Sequence, residues 1–163
     1  MLNYACSKSK NAPVPDNPYG LPNATQTGAN VFACRINGKN FISYYNLFNT
    51  KATFLTGDTM WIVGTQNLSK MVYQDISFKL NTNISTNSFE VSKNNCIVQY
   101  NTDSICTSNQ TQNITSYSKD AFIIITRFDK KLKIISGTIN GTFPIKGCDT
   151  VFVTDGRFDF NYY

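Results

Sequence analysis

The 163-residue chain contains no histidine. That absence excludes Ser-His-Asp and Cys-His nucleophilic chemistry, imidazole acid–base catalysis and most zinc sites. Charge is also scarce. Asp, Glu, Lys and Arg make up 15% of the residues, against about 25% in an average globular domain. Glu90 is the one glutamate among the acidic residues. A Cys-x-x-Cys pair is missing, so zinc-ribbon and thioredoxin chemistry lack their spacing. Calcium loops and phosphate-binding glycine loops are missing too. The longest interior-type apolar run is Ala121 to Ile125, far short of the ~20 residues of a membrane-crossing helix.

Acidic side chains offer little in their place. Asp155 and Asp159 are the carboxylates closest to forming a working pair. A glycosidase holds its two carboxyl groups ~5–9 Å apart across a cleft, whereas Asp155 falls in an expected turn. Serine and threonine are abundant but have no histidine or suitable lysine to activate them. No catalytic residue, metal site or cofactor is therefore expected, and the chain reads as a non-enzyme. Its net charge is +5, and the cations are scattered apart from Lys130, Lys131 and Lys133. Those three read as a solvated hairpin end. A nucleic-acid partner, which needs a stripe of aligned cations, is not expected.

Five cysteines are present: Cys6, Cys34, Cys96, Cys106 and Cys148. Cys6 stands apart, in a polar N-terminal stretch directly after the small residue Ala5. The segment Met1-Leu-Asn-Tyr-Ala-Cys6 looks like the tail of a bacterial lipoprotein signal peptide, its hydrophobic region lying upstream of Met1. Cys6 is thus the expected lipidation site. The remaining four allow three pairings. Cys96–Cys106 and Cys34–Cys148 are the favoured disulfide candidates, and four buried free thiols are the alternative. Closing the short Cys96–Cys106 loop would stabilise by about 2–3 kcal/mol.

Residues 1–6 then form a signal remnant, and residues 7–30 a flexible tether. The tether holds Pro13, Pro15, Pro18 and Pro22, four of the five prolines. Proline resists both helix and sheet. Residues 31–163 read as one β domain. Val31 to Ile36 precedes Asn37-Gly38, the strongest short hairpin signal, and Asn40 to Tyr45 returns. Further strands are expected at 53–56, 59–63, 88–91 and 96–100. Val72 to Leu80 alternates, with Val72, Ile76, Phe78 and Leu80 on one face and Ser77 and Lys79 on the other. Phe122 to Thr126 and Leu132 to Ile135 form a hairpin across Asp129–Lys131, apolar on both faces and so expected between packed layers. Ser136 to Phe143 carries small residues that permit a bulge. Val151 to Val153 and Arg157 to Phe160 flank a turn at Thr154-Asp155-Gly156. Arg157 and Asp159 share a face and are expected to pair at the surface. One short helix is allowed around Tyr45–Lys51. The fold class is all-β, an antiparallel β-sandwich or closed β-barrel of about nine or ten strands.

Several blocks together resemble a family of small Bacteroidota cell-envelope lipoproteins of uncharacterised function. They are Cys6 with its polar tether, Thr27-Gly-Ala-Asn-Val-Phe-Ala-Cys-Arg-Ile-Asn-Gly38, and Ile125-Thr-Arg-Phe-Asp129 with Ile134-Ile-Ser-Gly-Thr138. The last is Thr154-Asp-Gly-Arg-Phe-Asp159. The resemblance implies an all-β domain anchored in the envelope by Cys6, an outer-membrane lipoprotein facing the periplasm or the cell surface. It transfers no catalytic residues. The expected partners are the membrane, through the lipid, and a protein or glycan. Three roles follow. The first is a non-enzymatic binding or structural lipoprotein. The second is a carrier holding a small hydrophobic ligand in a barrel. The third is a carbohydrate-binding module with an aromatic platform drawn from Tyr44, Tyr45, Trp61, Tyr73, Tyr100 and Tyr117.

Overall fold

The computed structural model describes residues 19–46, 49–55, 58–69, 72–81, 89–91, 96–102, 114–118, 120–145 and 149–163. These residues contain eleven strands and no helix: β1 (Val31–Ile36), β2 (Lys39–Tyr44), β3 (Lys51–Phe54), β4 (Thr59–Ser69), β5 (Val72–Asn81), β6 (Phe89–Val91), β7 (Cys96–Thr102), β8 (Ile114–Tyr117), β9 (Phe122–Asp129), β10 (Ile134–Phe143) and β11 (Val151–Asn161). They form a six-stranded sheet in the order β2-β1-β11-β10-β9-β6 and a five-stranded sheet in the order β3-β4-β5-β7-β8. Neighbouring strands within each sheet are antiparallel. The two sheets stack as a β-sandwich and do not close into a barrel.

Period-two alternation builds the interior. Met60 and Ile62 of β4 point inward with Ile76, Phe78 and Leu80 of β5 and Val98 and Tyr100 of β7. The other sheet supplies Phe32, Ile123, Ile125, Ile139, Phe143, Phe158 and Phe160. Phe158 joins the layers, its ring 5.1 Å from that of Phe78 and 6.4 Å from that of Phe32. Gly64 makes room for this packing, since a Cβ there would stand 2.5 Å from the Phe32 ring. β4 runs past Val63, where a strand end was expected, and on to Ser69, paired with β5 along that length.

Turn chemistry follows the sequence at Asn37-Gly38, whose φ values of 48° and 78° suit a two-residue hairpin turn. It departs at Asp155-Gly156. β11 is one unbroken strand in which Asp155, at φ 54°, forms a bulge. The pairing of β1 shifts from Ala33↔Arg157 to Arg35↔Thr154, and that of β10 from Ile139↔Gly156 to Gly141↔Val153. The hairpin of β9 and β10 forms, but β9 lies beside the edge strand β6. Its outer face is open at Phe122, which is 40% exposed, so it is not covered on both sides as its composition suggested. The helix allowed near Tyr45 is replaced by an Asn46↔Thr50 bridge leading into β3. β8, in a run of polar residues, was not expected.

The end of the expected tether belongs to the fold. Residues 19–30 cross the outer face of the six-stranded sheet as a strap. Arg157 Nη1 donates to the Pro22 carbonyl at 3.0 Å, Arg127 Nη1 donates to the Gln26 carbonyl, and Leu21 is buried. Asp159 and Ser136, paired across β10 and β11, lie beneath the strap. Asp159 accepts from the Thr25 and Ser136 hydroxyls at 2.6 and 2.7 Å and from the Thr27, Gly28 and Ala29 amides at 2.9–3.0 Å. Arg157 turns to the Asp155 carbonyl and to Pro22. The expected surface pair of Arg157 with Asp159 is therefore replaced by a buried carboxylate holding the strap. Residues 7–18 lie outside the described residues.

Cys34 is a free thiol, wholly buried among the core side chains. It points between the sheets, where a small apolar group fills space better than a bridge to the surface. This corrects its expected place in a disulfide with Cys148. Cys6, Cys106 and Cys148 lie outside the described residues, as does the side chain of Cys96. Burial pushes the Cys34 thiol well above its ordinary range, which suppresses the reactive thiolate. Iodoacetamide at pH 8 is expected to leave Cys34 unmodified in the native protein and to alkylate it in denaturant, read by peptide mapping. Modification under native conditions would contradict this packing.

Candidate functional site

The outward face of the five-stranded sheet holds a cleft of about 570 Å³. It follows from the register. The odd-numbered residues of β4, β5 and β7 face away from the core, because their even-numbered neighbours fill it. Thr65, Asp75 and Asn101 stand side by side across the three strands, and Val63, Ser77 and Gln99 form the next row. Trp61 closes one end of the cleft and Asn49 enters at the other. Along β4 the distance from Trp61 to Thr65 is about 13 Å at the usual strand rise.

Val63 and Ser77 form a floor, each 3% exposed although on the outer face. Asn101 Nδ2 donates to Asp75 Oδ2 at 2.6 Å, which orients both side chains. Asn49 is brought in by the connection between β2 and β3. Thr65 Oγ1 donates to its carbonyl at 2.9 Å, and its own amide donates to Asn46 Oδ1 at 2.8 Å. Beneath it the Ser43 and Thr50 hydroxyls meet at 2.5 Å, and the Thr65 amide donates to both, at 3.1 and 3.0 Å. This buried node ties β2 of one sheet to β4 of the other and fixes the Asn49 end of the cleft. At the opposite end the Lys51 ammonium lies over the Trp61 indole, 5.6 Å from its centroid, a cation–π contact.

The expected aromatic platform does not assemble as one surface. Trp61 lines the cleft. Tyr100 faces the interior, where its ring lies 5.9 Å from Phe143 and its hydroxyl accepts from Gln74 Nε2 at 3.1 Å. It lies one position from Gln99 and Asn101, so alternation turns it to the core. Tyr44 is 67% exposed on the edge strand β2 of the other sheet. Tyr45 lies against Tyr163, ring centroids 6.2 Å apart, beside a smaller hollow near β3. The side chains of Tyr73 and Tyr117 lie outside the described residues.

The barrel cavity expected of a hydrophobic-ligand carrier does not form. The sheets leave a sandwich whose interlayer space is filled by Phe32, Phe78, Phe143, Phe158 and Phe160. Asp155 and Asp159 do not face a common cleft. Asp155 lies exposed at the bulge, and Asp159 is enclosed by the strap. Among the described residues no three His, Cys, Asp or Glu side chains gather as a metal site, and no helix is long and apolar enough to cross a membrane. The amides and hydroxyls of the cleft were missed as site residues. Their signal was present in the polar positions alternating with core residues on β4, β5 and β7. No protein-family model, curated protein or solved structure matches this chain.

Proposed function

We propose that this chain is a non-enzymatic binding domain, held at the bacterial cell envelope by lipid on Cys6, and that it takes its ligand in the cleft of the five-stranded sheet. The observation that carries the reading is that cleft. Its floor is buried, Asn101 and Asp75 orient each other, and its one tryptophan forms a wall. Binding sites are concave surfaces with a few placed polar groups beside an aromatic plane. Asp75 is the one carboxylate among the lining side chains, so the lining supports recognition rather than glycoside hydrolysis, which needs a second carboxyl group. The envelope location rests on Ala5-Cys6 and on the resemblance to Bacteroidota lipoproteins. The domain faces the periplasm or the cell surface and takes no cofactor.

Two measurements test this. Mass spectrometry of the protein from membranes is expected to find acylated Cys6, and an unmodified Cys6 thiol would refute the anchor. Retention on purified insoluble envelope polymers is expected for the wild type and is expected to fall at least fivefold in Trp61→Ala and in Asn101→Ala. Circular dichroism should be unchanged in both. Equal retention of wild type and folded variants would remove the cleft as the site.

A further inference from the structure

We infer that the ligand of the cleft is a neutral oligosaccharide. This rests on the cleft being the binding site and names the class of molecule it takes. A sugar ring offers a flat apolar C–H face and a rim of hydroxyls, each of which both donates and accepts. Its complement is an aromatic plane beside side chains that also do both. The cleft presents that set. Trp61 and Val63 supply the apolar surface. Asn49, Gln99 and Asn101 are amides, each with a carbonyl acceptor and two N–H donors. Thr65 and Ser77 add hydroxyls. Asp75, already oriented by Asn101 at 2.6 Å, is a strong acceptor for a sugar hydroxyl.

Other ligand classes fit less well. A phosphate or carboxylate ligand calls for Arg or Lys forks. The lining carries neither, and Asp75 repels an anion. Lys51, over the Trp61 indole, and Lys79, opposite Trp61 on β5, flank that end as single ammonium groups without a fork. An extended peptide adds to an open strand edge. This cleft lies on the faces of β4, β5 and β7, and the backbones of β4 and β5 are paired on both sides with β3, β5 and β7. An apolar ligand would strip water from the three amides and the Asp75 carboxylate without returning hydrogen bonds. The length of about 13 Å along β4 exceeds one sugar ring, which selects a chain over a monosaccharide.

Trp61 is the only tryptophan in the chain, so its fluorescence reports the cleft alone. The test titrates the folded protein with neutral gluco-, manno-, xylo- and galacto-oligosaccharides. Parallel titrations use an oligogalacturonate, a chitosan oligosaccharide and an uncharged hexapeptide. The expected result is a saturable shift of Trp61 emission by at least one neutral oligosaccharide. Calorimetry should then find at least tenfold weaker binding to Gln99→Ala and Asn101→Ala, with unchanged circular dichroism. A shift produced only by the uronate, the amine-bearing chain or the peptide would keep the cleft as a site and overturn the neutral-sugar assignment. Silence across the whole panel would overturn both. Binding untouched by the two variants would place the sugar elsewhere and refute the inference.

Discussion

Asp159→Asn is expected to lower stability to urea by about 3 kcal/mol, the loss typical of disrupting hydrogen bonds to a buried charged group. The carboxylate is 1% exposed and collects the successive amides of Thr27, Gly28 and Ala29. Consecutive N–H groups of this kind form an anion-binding concavity, and here the chain fills it with its own side chain. Asn has the same shape but replaces one oxygen with an NH₂. The Ser136 and Thr25 hydroxyls can rotate to accept from that group. A backbone amide cannot, so at least one strap amide is left buried without an acceptor, and the others lose the charge on theirs. Limited proteolysis should cut within residues 19–30 in the variant before it cuts the β domain. A loss under 1 kcal/mol with unchanged proteolysis would show that the carboxylate does not hold the strap.

Acid should report the same node. Burial raises the Asp159 pKa, but the Ser136 and Thr25 hydroxyls and the Ala29 and Gly28 amides outweigh it, leaving the carboxyl below its ordinary value. A native pKa below the unfolded one, about 3.9, contributes stability that is full above that value and lost as pH falls through the native one. The wild type should therefore lose stability more steeply below about pH 4 than Asp159→Asn does.

The strap shows where sequence reading stopped. Residues 19–30, which hold Pro22, are neither helix nor strand, but irregular backbone is not the same as mobile backbone. What fixes residues 25–29 is a carboxylate 130 to 134 positions away, and such a pairing leaves no local trace. The all-β class was legible because strand alternation and turns are local, whereas the choice of a sandwich over a barrel rests on long-range pairing and was left open. Alternation in Val72 to Leu80 and Asn-Gly at 37–38 each need only a few neighbouring residues. The outer-face cleft was half legible. Thr65, Asp75, Ser77, Gln99 and Asn101 stood at the polar positions of their strands, yet only the pairing of three strands brings them side by side. Tyr100 was misplaced because residue type outweighed parity: one step from Gln99, it had to face inward.

Gly156→Ala tests the other long-range feature, the bulge of β11. A Cβ on Gly156 would stand 2.1 Å from the Ile139 carbonyl oxygen and 2.6 Å from its Cγ2. The obstacle is the backbone of β10, which cannot swing aside as a flexible side chain does. Relief requires β10 and β11 to part where Ile139 pairs with Gly156, beside the bulge at Asp155. Overpacking of this kind costs about 3 kcal/mol, and a loss of that size lowers the melting temperature of a domain this long by about 6–12 °C. Gly141→Ala is the control on the same strand pair. There the nearest atoms are the Ser118 hydroxyl oxygen at 3.1 Å and the Ala121 Cα at 3.3 Å, contacts relieved by a shift of a few tenths of an ångström, so the drop should be only about 1 kcal/mol. The bulge also accounts for the unbroken strand. Asp155 in the left-handed region absorbs one residue against both β1 and β10, so Phe158 and Phe160 reach the core while Asp159 turns out to the strap. A Gly156→Ala protein melting within 2 °C of the wild type would mean that β11 does not carry its extra residue there. Asp159 would then have to be placed by some other register.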